Sequence, residues 1–320
     1  MCALFGWLDC GHKLSSKTLR KLTQGLANAS ESRGKDASGI AYNADGKLHI
    51  YKKPKAAHKL RFCIPQDCHA VMGHTRMATQ GDEKLNYNNH PFYGKASDGS
   101  FALAHNGVLY NDLELRREKN LPETVIETDS YIAVQLMNDK KLNYENLRDM
   151  AEAVRGSFTF TILDERDQIW FVKGSSPMYI LFLPELSFYV YGSTKEIVRF
   201  GIKCAGLHQY MQVEIEIKEG ELLRVDPTGH IDRSVFTPHE EKLSFHRYFE
   251  YEGENEYLLD YFSSFGYPRE EIELLLDFGY SVLEVEEMLM DPQEFRAAVS
   301  DIRCCLEGEY GDEYENLYAW

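Results

Sequence analysis

The sequence predicts an α+β domain followed by a small helical segment, and two observations support this prediction. Roughly the first 235 residues alternate short apolar runs, bounded by turn residues, with a few amphipathic stretches, a pattern typical of strands with helices between them. From residue 240 onward the chain has helical periodicity and holds 22 acidic and five basic side chains, against 29 and 30 before it. This shift in charge predicts a boundary, with domains at residues 2–238 and 239–320.

The first strand is expected at the N-terminus, where the apolar run from Cys2 to Leu8 precedes Asp9. This run has no basic leader and no long apolar stretch, so it does not predict a signal peptide. If the initiator methionine is removed, Cys2 becomes the first residue. A free N-terminal cysteine holds a thiol nucleophile and an amine, of ordinary pKa about 7.7–8.0, that can take the thiol's proton. The alternative is a small buried cysteine without a chemical role.

Two hairpins and three single strands are predicted next from alternating polarity and turn residues. The first hairpin is expected to turn at Asp45–Gly46, and the second between Asp164 and Asp167. The predicted regions are 38–54 and 158–173 for the hairpins, and 178–183, 186–191 and 211–217 for the single strands.

Helices are predicted in both parts of the chain. In the first part, residues 16–29 place three leucines on one face, and residues 129–138 have Thr128 or Asp129 as the capping residue. In the acidic part, short helices are separated by glycine or proline, at 256–265, 268–278, 282–290 and 292–306. We expect these helices to form a packed acidic appendage, or a docking module for a basic partner protein.

Composition and charge exclude several classes of protein. The net charge is −16 and the acidic tail lacks the basic surface that phosphate contacts need, so we expect no nucleic-acid binding. No apolar run reaches the roughly 18 residues of a membrane span, so no membrane association is expected. The seven cysteines are odd in number and show no C-x-x-C pair or zinc spacing, which predicts reduced thiols, a cytoplasmic location and no metal or other cofactor.

Five short polar motifs follow Cys2 along the chain. They are Arg-Gly-Lys-Asp-Ala-Ser-Gly at 33–39, Gly-His-Thr-Arg-Met-Ala-Thr-Gln-Gly at 73–81, Asn-Asn-His-Pro-Phe at 88–92, Ala-His-Asn-Gly-Val at 104–108 and Glu-Thr-Asp-Ser at 127–130. Taken singly, each has a structural explanation, because Asn-Gly forms turns, Thr-Asp caps helices and His-Pro occurs in loops. Together, in this order behind Cys2, they indicate one site.

With these motifs, residues 2–230 resemble the class II glutamine amidotransferases, and most of all the glutaminase domain of glucosamine-6-phosphate synthase. The resemblance implies the four-layer αββα sandwich of N-terminal nucleophile hydrolases, with the nucleophile at the start of a central strand. It implies that Cys2 is the catalytic cysteine and that its freed amine is the general base. It also implies an oxyanion hole made by the side-chain amide of Asn106 and the backbone N–H of Gly107.

The resemblance further implies four residues that bind the substrate. Arg76 is expected to hold the α-carboxylate of glutamine and Asp129 its α-ammonium, while Thr79 and His90 line the pocket. Physical chemistry agrees for the first two, because an arginine fork matches a carboxylate and an aspartate matches an ammonium group. His90 either orients the pocket or only fills a loop.

The chain also departs from the family in the loop that follows Arg76. Met77 stands where the sugar-phosphate synthase has a tryptophan that covers the substrate, and Gln80 stands where it has a histidine. We therefore do not expect a lid that closes through an indole ring. Arg33 and Asp36 are expected to fix a loop rather than to contact substrate.

The sequence thus predicts a glutamine amidohydrolase or amidotransferase that releases ammonia from L-glutamine through a γ-glutamyl thioester on Cys2. About 80 residues follow the domain, too few for a fused synthase, so a separate protein is expected to accept the ammonia. One alternative is an amidase for another γ-glutamyl compound. The other is a non-catalytic glutamine-binding or regulatory protein that acts through its acidic tail.

Overall fold

The protein is described by a computed structural model that covers residues 2–239 and, in the C-terminal part, residues 259, 263, 266–278, 280, 284, 285, 288 and 292–307. The chain divides into two compact units, residues 1–239 and residues 240–320. Each unit is described by itself below.

A seven-stranded antiparallel sheet contains the first strand of the chain. In spatial order its strands are β11 (Val213–Glu214), β9 (Tyr179–Leu183), β10 (Phe188–Gly192), β1 (Ala3–Asp9), β4 (Ala70–Arg76), β2 (Ala37–Ala44) and β3 (Lys47–Lys53). β1 lies in the middle, because Phe5 pairs with Gly192 of β10 on one side and with Gly73 of β4 on the other. All seven residues of β1 are buried. Cys2 therefore lies at the start of a central strand.

A second antiparallel sheet has six strands. In spatial order they are β13 (Ile231–Val235), β12 (Glu221–Val225), β8 (Ile169–Lys173), β7 (Gly156–Asp164), β6 (Gly99–Leu109) and β5 (Phe92–Ala96). β6 is the longest of them, with 11 residues, and its last residues include Asn106 and Gly107. Both sheets contain a hairpin that the sequence predicts, β2–β3 in the first and β7–β8 in the second.

Helices cover the outer faces of the two sheets. They are α1 (Ser16–Ser30) and α5 (Lys195–Ala205) on the first sheet, and α2 (Asp112–Glu118), α3 (Tyr131–Met137) and α4 (Tyr144–Ala153) on the second. β1 shows how alternation builds the layers, because Phe5 and Trp7 pack toward α1 and α5 while Leu4 and Leu8 pack against the second sheet. The α+β fold and its αββα layers are thus confirmed.

Two local predictions are wrong in detail. Neither Thr128 nor Asp129 caps α3, which follows Ser130, because both side chains bond elsewhere. Thr128 Oγ1 donates to the carbonyl of Asn88, and the Asp129 carboxylate accepts from the backbone N–H of Leu109. The strand predicted at 211–217 is reduced to two residues, Val213–Glu214. At Thr128 and Asp129, partners distant in sequence outweigh the local preference for capping.

The described residues of the second unit contain two helices, α6 (Arg269–Asp277) and α7 (Pro292–Glu307), where the sequence predicts them. Ile272 and Leu275 of α6 share an apolar core with Phe295 and Val299 of α7. The helices predicted at 256–265 and 282–290 lie largely outside the described residues. None of the helices in the described ranges is long and apolar enough to cross a membrane.

Candidate active site

Cys2 is half-buried directly before β1, and both its backbone carbonyl and its thiol are hydrogen-bonded. The Nε of Arg33 donates to the carbonyl oxygen of Cys2 at 2.8 Å, and the Cys2 thiol donates to the carbonyl of Met77 at 3.4 Å. Burial raises the pKa of the Cys2 thiol, while the charge of Arg76 acts in the opposite direction. The thiol is therefore positioned, and it needs a base to become a nucleophile.

Arg76 ends β4 directly beside Cys2. In the register of β1 and β4, Ala3 lies opposite Thr75. Because the two strands are antiparallel, the residue before Ala3 lies opposite the residue after Thr75, which brings Cys2 and Arg76 side by side. The guanidinium is buried and donates to Asn89 Oδ1 at 2.8 Å, to the carbonyl of Gly81 at 2.9 Å and to the carbonyl of Gln80. Burial lowers the pKa of Arg76, and the nearby charges of Cys2 and Asp129 oppose this effect.

Asn106 and Gly107 lie at the end of β6 and are linked to β1 through one hydroxyl. Ser193 Oγ accepts from the backbone N–H of Leu4 at 2.9 Å and from Asn106 Nδ2 at 3.4 Å. Gly107 has φ of 142°, and a Cβ there would lie 1.9 Å from the carbonyl oxygen of Ser157. Only glycine fits this position without moving the backbone.

Asp129 is buried between β6 and α3. Its Oδ2 accepts from the backbone N–H of Leu109 at 2.6 Å, and its Oδ1 accepts from the Ser130 hydroxyl at 3.1 Å. Its negative charge acts on both the Cys2 thiol and the Arg76 guanidinium. The thiol, the cationic group and the carboxylate thus lie within electrostatic range of one another.

The other two predicted pocket residues differ in exposure. Thr79 is exposed in the loop after β4. His90 is buried, with its ring 4.2 Å from that of His74 and 4.4 Å from that of Phe92. Neither ring nitrogen of His90 has a hydrogen-bond partner within the described part of the chain. His90 therefore fills space beside Arg76 and still holds an unsatisfied donor and acceptor.

Three buried histidines predict a loss of stability in acid. Burial lowers the pKa of His90 and His105, and brings that of His74 to about 3. In the unfolded chain all three titrate near pH 6.5, so below that pH the unfolded state binds more protons than the folded state. We expect the free energy of unfolding to fall between pH 7.5 and 5.5, by about 1.4 kcal/mol for His74 and in the same direction for His90 and His105, measured by urea denaturation.

A single substitution tests the sign of this effect. His90→Gln is expected to make the free energy of unfolding less dependent on pH over this range, since one buried imidazole that is protonated only in the unfolded chain is gone. His208→Gln is the matched control, because His208 is exposed on the surface. An unchanged pH dependence in the His90 variant would contradict the expectation.

The loop after Arg76 has its own anchors. Asp36 Oδ2 accepts from the backbone N–H of Ala78 at 2.8 Å, and Gln80 Nε2 donates to the carbonyl of Glu127 at 3.0 Å. Met77, which follows Arg76, is 44% exposed. Within the described residues, no group of three or more His, Cys, Asp or Glu side chains could hold a metal ion.

Sequence reasoning missed the importance of Asn88 and Asn89. It named them only as part of a motif, yet both are fully buried and bond to the loops on either side. The signal that could have found them is a pair of adjacent amides before a His-Pro step, since buried amides must find partners.

The comparisons with known proteins agree on one family. Residues 74–199 match a family model described as a glutamine amidotransferase domain. The chain is 30% identical over 189 residues to glutamine–fructose-6-phosphate aminotransferase (isomerizing) of Bacillus licheniformis, covering 56% of this chain and 30% of that protein. It is 34% identical over 166 residues to the Chlamydia trachomatis protein of the same description, covering 51% and 25%. The chain thus matches about a third or less of the length of these relatives.

One solved structure is similar in fold. It is glutamine phosphoribosylpyrophosphate amidotransferase from B. subtilis, with a TM-score of 0.56 and 21% sequence identity. The match covers 74% of this chain and 49% of the other.

Proposed function

This chain carries a glutamine amidotransferase domain of the N-terminal nucleophile type, and on that premise we propose that residues 2–238 release ammonia from L-glutamine. The observation that supports this most directly is the register that brings Cys2 beside Arg76. A nucleophile next to a cation suits a substrate with a free α-carboxylate. Asp129 supplies the opposite charge for the α-ammonium group.

The proposed reaction begins once Met1 has been removed. The Cys2 amine takes the thiol proton, and the sulfur attacks the side-chain amide carbon of glutamine. Negative charge then develops on the amide oxygen, which Asn106 Nδ2 and the Gly107 N–H stabilise. The amine returns the proton to the leaving nitrogen, the C–N bond breaks and ammonia departs. Water then attacks the γ-glutamyl thioester, giving glutamate and the free thiol.

The destination of the ammonia is a further part of the proposal. The relatives are named for transfer to fructose 6-phosphate, and we propose that here a separate acceptor protein receives the ammonia. Residues 239–320 are proposed to be an acidic helical appendage, with docking of a basic partner as its second candidate role. The free thiols of Cys2, Cys10, Cys63, Cys68 and Cys204 suit a reducing compartment, and we propose the cytoplasm.

The test is an assay of the full chain with L-glutamine, after intact mass has shown that Met1 is absent. Glutamate and ammonia are expected in equal amounts, with little release from L-asparagine, whose amide lies one methylene closer to the α-carbon. Faster turnover of another γ-glutamyl amide than of glutamine would favour the alternative amidase. No turnover of glutamine by protein that has a free Cys2 amine would overturn the proposal.

A further inference from the structure

The guanidinium of Arg76 is surrounded by uncharged acceptors. It donates to one side-chain amide, Asn89 Oδ1, and to the backbone carbonyls of Gln80 and Gly81. The carboxylates of Asp129, Glu83 and Asp36 act on it through their charge, while all three of these hydrogen-bond acceptors are neutral. A guanidinium has five N–H donors, so these acceptors leave donors and a full positive charge for a ligand.

Asn89 is fixed so that its amide oxygen faces Arg76. The residue is fully buried, and its Nδ2 donates to the carbonyl of Glu83 at 2.7 Å. Its own backbone carbonyl accepts from Lys52 Nζ, which also lies 4.9 Å from the centre of the Phe92 ring. Since the nitrogen end of the amide is already committed, only the oxygen end is available to the guanidinium.

Asn88 makes the corresponding contacts on the other side of the site. Its Nδ2 donates to Glu127 Oε2 at 2.8 Å, and its Oδ1 accepts from the Glu127 N–H at 2.9 Å. Its backbone carbonyl accepts from Thr128 Oγ1 at 2.8 Å. Asn88 therefore supports the segment that leads into Asp129, whereas Asn89 supports Arg76.

We propose that Asn89 is a positioning residue which holds Arg76 through an uncharged acceptor, and so reserves the guanidinium charge for the α-carboxylate of the substrate. An aspartate in the same place would form a buried ion pair with Arg76 and compete with that carboxylate. The inference rests on the proposed function, because it takes free glutamine as the ligand.

The test compares two ligands and two neighbouring positions. L-glutamine and L-glutaminamide share the α-ammonium and the side-chain amide, but glutaminamide lacks the α-carboxylate. Each variant is made in a Cys2→Ala chain, and the Kd of both ligands is measured by calorimetry, so the result does not depend on turnover. Asn89→Asp is the test variant and Asn88→Asp is the matched control, with the same added charge at an equally buried position that bonds to Glu127.

The preference for glutamine over glutaminamide is the readout. Asn89→Asp is expected to reduce that preference about 10- to 100-fold. Asn88→Asp is expected to raise the Kd of both ligands by the same factor. Asn88 supports the segment that leads into Asp129, and both ligands carry the ammonium group that Asp129 is proposed to bind. If the aspartate variants do not fold, Asn89→Ala and Asn88→Ala are compared in the same way, and only the former is expected to reduce the preference.

Three results would overturn the inference, and the first two are distinct from failure of the proposed function. An unchanged preference in Asn89→Asp, or in Asn89→Ala when the aspartate variant does not fold, would show that Asn89 does not keep Arg76 available. An equal loss of preference in the Asn88 variant would show only a general disturbance of the loop. Failure of the parent Cys2→Ala chain to bind either ligand would instead reject the glutamine site itself, and the inference with it.

Discussion

Replacement of Cys2 with alanine is expected to abolish glutamine hydrolysis, by about 10⁴-fold or more, because no other group in the proposed mechanism can form the thioester. The same variant is expected to form no adduct with diazo-oxo-norleucine, an electrophilic analogue of glutamine. Intact mass measures both features, since the parent protein should lack Met1 and gain one adduct.

Exposed thiols provide the control for this result. Cys63 and Cys204 are exposed, Cys63 in the connection between β3 and β4 and Cys204 in α5. Cys63→Ala and Cys204→Ala are expected to keep the adduct, although we expect simple alkylating agents to react with these exposed thiols. An adduct that persists in Cys2→Ala, or activity that survives there, would remove Cys2 from the mechanism.

Replacement of Asn106 with alanine is expected to lower kcat about 10²- to 10³-fold with little change in KM. In the proposed mechanism the Asn106 amide stabilises the negative charge on the substrate oxygen, and this charge develops only as the sulfur attacks. Loss of the amide therefore destabilises the transition state more than the bound substrate. Steady-state kinetics with glutamine measures the two constants separately.

Asn111→Ala is the matched control for the Asn106 substitution. Asn111 is also a buried asparagine on the segment after β6, but its amide donates to the carbonyl of Ala153 at 3.0 Å. It is expected to lower stability while leaving kcat of the folded fraction close to that of the parent. Equal kinetic losses in the two variants, or a change in KM alone for Asn106→Ala, would contradict the role of Asn106 in an oxyanion hole.

Local patterns in the sequence predict several elements because those elements depend on nearby residues. The β2–β3 hairpin forms around Asp45 and Gly46, whose positive φ angles of 51° and 69° suit a tight turn. The helix from Ser16 begins after Ser15, whose hydroxyl accepts from the Thr18 N–H. In each case a few consecutive residues contain all the information that is needed.

The details of the candidate site depend on partners that are distant along the chain. Aspartate is a residue type that often caps helices, but the carboxylate of Asp129 accepts a hydrogen bond from the N–H of Leu109, 20 positions earlier. Gln80 looks like a substituted lid residue, yet its amide bonds to Glu127, 47 positions later. Which amide meets Arg76 is decided by how two loops pack, and no local pattern encodes that contact.

The central place of β1 has a consequence for how the protein matures. Phe5 pairs with Gly192, so the strand that follows Cys2 cannot be enclosed until most of the first unit has been synthesised. At a synthesis rate of about 5–20 residues per second, this takes about 10–40 seconds. During that interval β1 lacks its β10 partner and has only β4 available on its other side. If Met1 is removed during this interval, the proposed nucleophile is chemically complete before the sheet encloses it.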